Sequence, residues 1–288
     1  MSTKTHFWIG PVFILVWSTG FIVAKYGMPY TDPMTFLSMR FAGALILLIP
    51  VALISQSVWP SRRQTLHIVV AGLLLQMAYL SGIWEAVKHG MPAGLAALIV
   101  GLQPVLTAVF AARVAEKVTA RQWLGLVCGL AGVAIVLSDK ISVEGVSLLT
   151  LSFTFMSLFA FTAGTLYQKR FCPVFDLRSG TIIQYGVSGI ASVFLMLLFE
   201  PMHVQWSVPL IGALLWSIGP ISVGAMSLWF ILLRSGAATQ VSSLLYLTPP
   251  TTAIMAWILF DELLTPTVMI GTVVTVTGVW LVTRSNRR

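Results

Sequence analysis

Charge is what this sequence has least of. Only 9% of its 288 residues are Asp, Glu, Lys or Arg, against about 25% in soluble domains. Too few remain to cover a water-facing surface, which excludes a soluble fold. Cysteine is scarce as well, Cys128 and Cys172 being the two, and this excludes a disulfide framework or a cysteine metal site. The four histidines, His6, His67, His89 and His203, fall at the ends of apolar runs without ligand-like spacing, so no metal and no cofactor is expected. No phosphate-binding Gly-x-x-x-x-Gly-Lys motif occurs, which removes nucleotide hydrolysis as an energy source. The start does not read as a cleavable signal either, because Lys4 leads directly into a full-length apolar run.

What is present is hydrophobic sequence. Apolar residues make up 57% of the chain and the mean hydropathy is +0.92. Ten apolar segments can be marked, at 7–25, 34–54, 66–87, 93–113, 121–138, 147–168, 179–199, 208–233, 237–260 and 267–283. About 20 such residues cross a bilayer, so the sequence predicts an all-α polytopic membrane protein of ten spans. With the N-terminus inside, thirteen of the seventeen Lys and Arg residues fall on the cytoplasmic side. Lys25, Lys88 and Lys140 fall outside and Arg40 lies within a span. That bias predicts cytoplasmic termini in an inner, plasma-type membrane. It also explains the net charge of +8 without nucleic acid as a partner.

The chain repeats itself. At an offset of 146, Gly90 meets Gly236, Leu98 meets Leu244, Pro104 meets Pro250, Glu116 meets Glu262, Gly125 meets Gly271 and Gly132 meets Gly278. The first two spans of each half correspond at 144, setting Trp17 against Phe161 and Arg40 against Gln184. A shared long period marks a duplicated unit. The expected units are residues 1–140 and 141–288, five spans each, and an odd number of spans inverts the second copy. Each copy carries a proline that reads as lying in mid-helix, Pro104 in one and Pro249–Pro250 in the other. Helix breaks at matching places in two halves point to a midplane binding site.

These residues resemble the drug/metabolite transporter superfamily, in its EamA-type ten-span branch. Gly90–Leu98, Leu102-Gln103-Pro104, Glu116-Lys-Val-Thr119, Leu247-Thr-Pro-Pro250 and Asp261-Glu-Leu-Leu-Thr265 carry the likeness, together with the paired glycine helices, Trp17-Ser18 and Arg40. The resemblance covers essentially the whole chain. It implies two inverted repeats and a secondary transporter, with relatives that export amino acids, nucleobases, toxic cations or other metabolites.

Helical spacing selects the candidate lining. Gln103 and Thr107 share a face of span four, Gln76 and Tyr79 a face of span three, and Trp17 and Ser18 lie in span one, with Thr162, Trp229 and Tyr246 at related places in the second half. A buried amide such as Gln103 needs a partner or water. It reads either as a substrate-binding group or as interhelical glue worth about 0.6 kcal/mol. The mid-span rings of Trp17, Tyr79, Trp229 and Tyr246 read either as ligand-stacking or as plain packing.

Pro104, Gly219, Pro220, Pro249 and Pro250 are the candidate hinges. Arg40, about 10 Å into the membrane by helical rise, carries a charge costing about 2.5–3.5 kcal/mol on insertion scales. Its candidate partner is Glu85, the alternatives being snorkelling of Glu85 and carbonyl bonds for Arg40; a Glu85 that faces the cavity would instead serve coupling, as a carboxylate for a proton or a cationic substrate. Glu116 and Glu262, at the ends of the broken helices, read as structural.

The expected function is alternating-access export of amino acids or of amphipathic or aromatic compounds, drugs among them. The small-molecule substrate and the lipid bilayer are the expected partners. A monomer is the default state and a dimer the alternative. A sensor or lipid flippase on the same fold is the competing reading. A membrane enzyme would require clustered His, Asp or Cys, which the sequence lacks.

Overall fold

The computed structural model describes residues 3–91, 96, 99–111, 119–138, 147–235, 241, 243–260 and 266–284. Its elements in chain order are α1 (Thr3–Gly27), α2 (Pro33–Ile54), α3 (Arg62–Lys88), α4 (Gln103–Ala111), α5 (Ala120–Ser138), α6 (Leu148–Phe171), α7 (Leu177–Phe199), α8 (Val208–Arg234), α9 (Thr248–Phe260) and α10 (Pro266–Arg284). Five of them, α2, α3, α6, α7 and α8, are long and apolar enough to cross a membrane. Their ends fit local chemistry. Ser61 and Ser147 open α3 and α6 with capping boxes, and the side chains of Asp176 and Ser207 cap α7 and α8. Such caps satisfy amides that the first turn leaves free. Among the described residues there is no β-strand, only an isolated bridge from Thr31 to Val204.

The helices pack across the two halves of the sequence. α1 lies against α8 and α9, and its repeat mate α6 lies against α3 and α4. α2 meets α8 as α7 meets α3, while α2 with α7 and α5 with α10 are self-matching pairs. This is the contact pattern of two inverted repeats about a pseudo-two-fold axis.

The α5–α10 seam shows that axis at atomic detail. A Cβ on Gly125 would stand 2.7 Å from the Gly278 carbonyl oxygen, and one on Gly132 would stand 2.7 Å from that of Gly271. Repeat mates thus exchange partners in an antiparallel crossing, and Thr275 beside them also meets Gly132. Small residues permit this approach where lipid supplies no hydrophobic drive between helices.

Two of the predicted features take a different form. Pro104 and Pro249–Pro250 are not in mid-helix: α4 starts at Gln103 and α9 at Thr248, after a 3-10 turn over Leu244–Leu247. In a first turn proline gives up only an amide hydrogen that has no intrahelical partner. The chain breaks before the prolines, and the helices restart on them.

The second difference is a widened turn in each copy. α3 turns into π-helix over Leu73–Ala78 and α8 over Ser217–Ala225, positions that match at the offset of 146. In α8 the stretch holds Gly219 and Pro220, whereas α3 adopts it without a proline. Hydroxyls from neighbouring helices bond carbonyls at and beside these turns. Ser188 donates to Gly72, Ser157 to Tyr79 and Tyr185 to Ser222, as buried backbone in a bilayer requires. The motif acids Glu116 and Glu262 and the boundary near Asp139–Val146 lie outside the described residues.

Candidate functional site

At the crossing of α1, α3, α6 and α8 five rings pack together. Trp17 is stacked on Phe161 at 6.1 Å between centroids and 13° between planes, on Tyr79 at 6.4 Å and 4°, and on Trp229 at 6.3 Å. Tyr79 and Phe161 are 4.4 Å apart, and Phe13 closes the group against Trp17 and Trp229. Trp17 and Phe161 are repeat mates, so their stack spans the pseudo-two-fold. Each offset pair of this kind contributes about 0.5–1.5 kcal/mol beyond burial.

A cavity of about 50 Å³ begins at Trp17, Gln76 and Tyr79 and runs past Ile83 and Trp84 to Ala24 and Val87. That volume holds a few waters and is smaller than an amino acid. A second cavity, of about 70 Å³, lies towards the opposite end, between Gln168, Lys169, Cys172, Phe175, Phe230 and Arg234. Along α8 the first cavity touches Ser217, Ile221 and Met226 and the second touches Phe230, Leu233 and Arg234, with Trp229 between the two sets. The ring cluster therefore divides two cavities.

Trp17, Gln76, Tyr79 and Arg40 line the first cavity. Gln76 is buried and donates to the Met226 sulfur. Trp229 belongs to the ring cluster but lines neither cavity. Gln103 donates to Thr165 at 3.5 Å, and Thr162 bonds back to the Leu158 carbonyl. Thr107 is buried nearby on α4, and Ser18 is buried on α1, where its carbonyl accepts from Thr252. Tyr246 is placed elsewhere. Its ring packs on Gly129 in a separate apolar cluster with Ala108, Leu126, Val279 and Val282.

Arg40 and Glu85 do not pair. The Arg40 Nε donates to Ser222 Oγ at 2.7 Å, while Glu85 stands 3.5 Å from His89. The reason is depth. Glu85 is three residues from the end of α3, Arg40 seven past the start of α2, and those helix ends are level because Lys88 pairs with Asp32. At ~1.5 Å rise per residue the two differ by about 6 Å. Sequence reasoning also missed the hydroxyl cradle of Ser222 and Tyr185, because neither residue stands near Arg40 in the chain.

The two ends of the bundle differ in their ionic contacts. At one end Lys88 of α3 pairs with Asp32, the N-cap of α2. Glu200, from the end of α7, accepts hydrogen bonds from the Met34 and Thr35 amides and from the Thr35 hydroxyl. At the other end the repeat mates of Lys88 and Asp32 are Arg234 and Asp176. Arg234 donates instead to the Phe175 carbonyl and lies over that ring, while Asp176 is bound by Arg178. The hydrogen bonds from Arg178 hold the Asp176 carboxyl below its ordinary range. Beside them, burial pushes the Cys172 thiol up to about 11. Among the described residues no group of three His, Cys, Asp or Glu could hold a metal.

The model of the EamA-like transporter family matches residues 7–138 and 148–284. The uncharacterized transporter YvbV of Bacillus subtilis is 30% identical over 95% of this chain and 90% of its own length. A probable amino-acid metabolite efflux pump of Escherichia coli K12 is 21% identical over 93% and 91%. The uncharacterized inner membrane transporter YedA of the same strain is 25% identical over 93% and 87%. A protein crystal structure, 20% identical, superposes over 100% of both chains with a TM-score of 0.81, which supports the fold.

Proposed function

Since the chain belongs to the EamA-like transporter family and is a multi-pass membrane transporter, we propose that it exports small amphipathic or aromatic metabolites by alternating access. Its termini are cytoplasmic, and its repeats are residues 1–140 and 141–288. The observation that carries this reading is the ring cluster set between two cavities. Trp17 and Phe161 occupy equivalent places in the two repeats, so one rocking motion about their axis exchanges the exposed cavity. Trp17, Gln76 and Tyr79 then receive the substrate, with Gln103, Thr107 and Thr162 as neighbouring polar groups. The π turns, Gly219–Pro220 among them, and the helix restarts at Pro104 and Pro249–Pro250 are where the helices bend.

The unequal ends support the same cycle. The ion pair Lys88–Asp32 is formed at one end while its counterpart is parted at the other. The matched efflux pump's name lends weight to export of amino-acid metabolites, and the aromatic cavity wall favours hydrophobic ones. In this reading the energy comes from a gradient or from the substrate's own concentration.

Counterflow in sealed proteoliposomes tests the proposal. A panel of labelled amino acids, aromatic acids and aromatic amines is compared in the parent protein and in Trp17→Ala, Tyr79→Ala and Gln103→Leu variants. Exchange by the parent, lowered about two- to tenfold in Trp17→Ala, is expected from removal of a stacked ring. A folded parent that exchanges nothing would sink the reading in favour of a sensor or flippase.

A further inference from the structure

Resting on that reading, we propose that Arg40 is the recognition group for the carboxylate of the transported compound, so that the substrate is an aromatic or otherwise apolar monocarboxylate. Arg40 is 4% exposed, about two helical turns from the start of α2, and forms part of the first cavity's wall with Trp17, Gln76 and Tyr79. Its polar neighbours are hydroxyls: Ser222 Oγ receives the Nε hydrogen at 2.7 Å, and Tyr185 stands beside it. Among the described residues no carboxylate pairs with it. Asp32 and Asp176 are ion-paired with Lys88 and Arg178, Glu85 stands beside His89, and Glu200 accepts from the α2 amides.

The fold does not require a charge at this position. The repeat mate of Arg40 is Gln184, equally buried in α7, which donates to the Gln168 amide oxygen. The architecture therefore accommodates a neutral side chain at the equivalent place, and the arginine breaks the symmetry on the wall of the cavity. A buried cation with no counter-ion among the described residues suits an anion arriving from outside. A guanidinium presents a planar fork that matches a carboxylate in two parallel bonds. The rings of Trp17 and Tyr79 on the same wall fit the apolar body of such a molecule. Among the described residues no acidic side chain lines the cavity, so a substrate ammonium group finds no matching charge among them. A single arginine also suits one negative charge better than the two of a phosphate ester.

Three compounds of one shape separate the possibilities: 3-phenylpropionate, phenylalanine and phenethylamine. Binding to the purified full chain in detergent is read from tryptophan fluorescence, and counterflow is measured in proteoliposomes. Wild type is expected to bind and exchange 3-phenylpropionate, with phenethylamine weaker by about 10- to 100-fold, the range for a hydrogen-bonded charge. Arg40→Gln should abolish that preference, and Arg40→Lys should restore part of it. Equal handling of acid and amine by wild type would overturn the proposal without reference to any variant, so a misfolded Arg40→Gln does not rescue it. A preference for the acid that survives intact in folded Arg40→Gln would overturn it too. In both cases exchange itself leaves the transporter reading standing. A wild type that moves none of the three but exchanges other panel members overturns this inference alone. One that exchanges nothing on the panel removes both.

Discussion

Lys88 is ion-paired with Asp32, whereas Arg234 and Asp176, which stand at the equivalent places of the second repeat, each hold a different partner. The same four positions thus mark both ends of the bundle, in opposite states. If the Lys88–Asp32 pair holds its end shut, Lys88→Met should expose the cavity wall there. With Cys128 and Cys172 replaced by Ser and Ala24→Cys as reporter, maleimide labelling should rise about two- to five-fold, the range for a partly exposed ion pair. Exchanging the charges, Lys88→Asp with Asp32→Lys, should return labelling to its starting rate. Unchanged labelling in Lys88→Met would mean that packing alone closes this end.

Glycine positions on two helices should respond with opposite signs. A Cβ on Gly278 would stand 2.5 Å from the Gly129 amide nitrogen and 2.6 Å from the Gly125 carbonyl oxygen, and backbone cannot give way as a side chain can. Gly278→Ala should therefore destabilise the α5–α10 seam by about 1–3 kcal/mol. Gly212 in α8 has nothing within 4 Å of such a Cβ, so Gly212→Ala should raise stability by about 0.5–1 kcal/mol. Thermal melting in detergent compares the two, and a Gly278→Ala protein melting at or above the parent would contradict the seam.

Glu200 caps α2 from the end of α7, tying repeat-equivalent helices together. Glu200→Ala should cost about 0.5–2 kcal/mol, as loss of an N-terminal cap does. Thr35→Val removes only the hydroxyl donor of the three, so a smaller loss is expected. The two losses should be less than additive in the double variant, because both remove the same contact. Full additivity in denaturant titration would show that Glu200 and Thr35 act separately.

The Cys172 thiol gives a pH prediction. Burial holds it neutral up to about 11 from a usual value of 9.0. The neutral form is favoured in the folded state, so its contribution to stability is fully present below pH 9 and lost as pH rises towards 11. In a Cys128→Ser protein, alkylation by iodoacetamide should keep climbing with pH through 9 and 10, following the thiolate. A rate that levels off soon after pH 9 would show an unburied thiol. Asp176 acts in the other direction: its carboxyl is held low by Arg178, so its contribution is present above the ordinary carboxylate range and fades as pH falls into and below it.

The apolar helical build and the repeated unit were legible in the sequence because each rests on a single strong constraint, bilayer thickness in one case and repeated glycines and prolines in the other. The shared face of Gln76 and Tyr79 was legible too, since helical spacing alone brings them together on the first cavity's wall. The partners of Arg40 were not. A charge within a span signals that something must compensate it, and Ser222 and Tyr185 are neutral residues more than 140 positions away. The π turns escaped for a related reason: α3 carries no proline in its widened stretch, so composition gives no sign of it. The unequal ion pairs lay within reach, since Lys88 and Arg234 match at 146 and Asp32 and Asp176 at 144. Reading them required pairing two offsets across helices that meet only in the folded protein.

The widened turns also bear on descent. Leu73–Ala78 falls on 219–224 inside Ser217–Ala225 at one unbroken offset, so neither copy has gained a residue there relative to the other. The extra residue of the wide turn was then already part of the single unit before duplication. An ancestor of half this length could have built the bundle only by pairing two identical chains inserted in opposite directions, and fusion fixed what had been a chance of orientation. Two copies with separate sequences need not match, and here one holds an arginine at position 40 where the other holds a glutamine at 184.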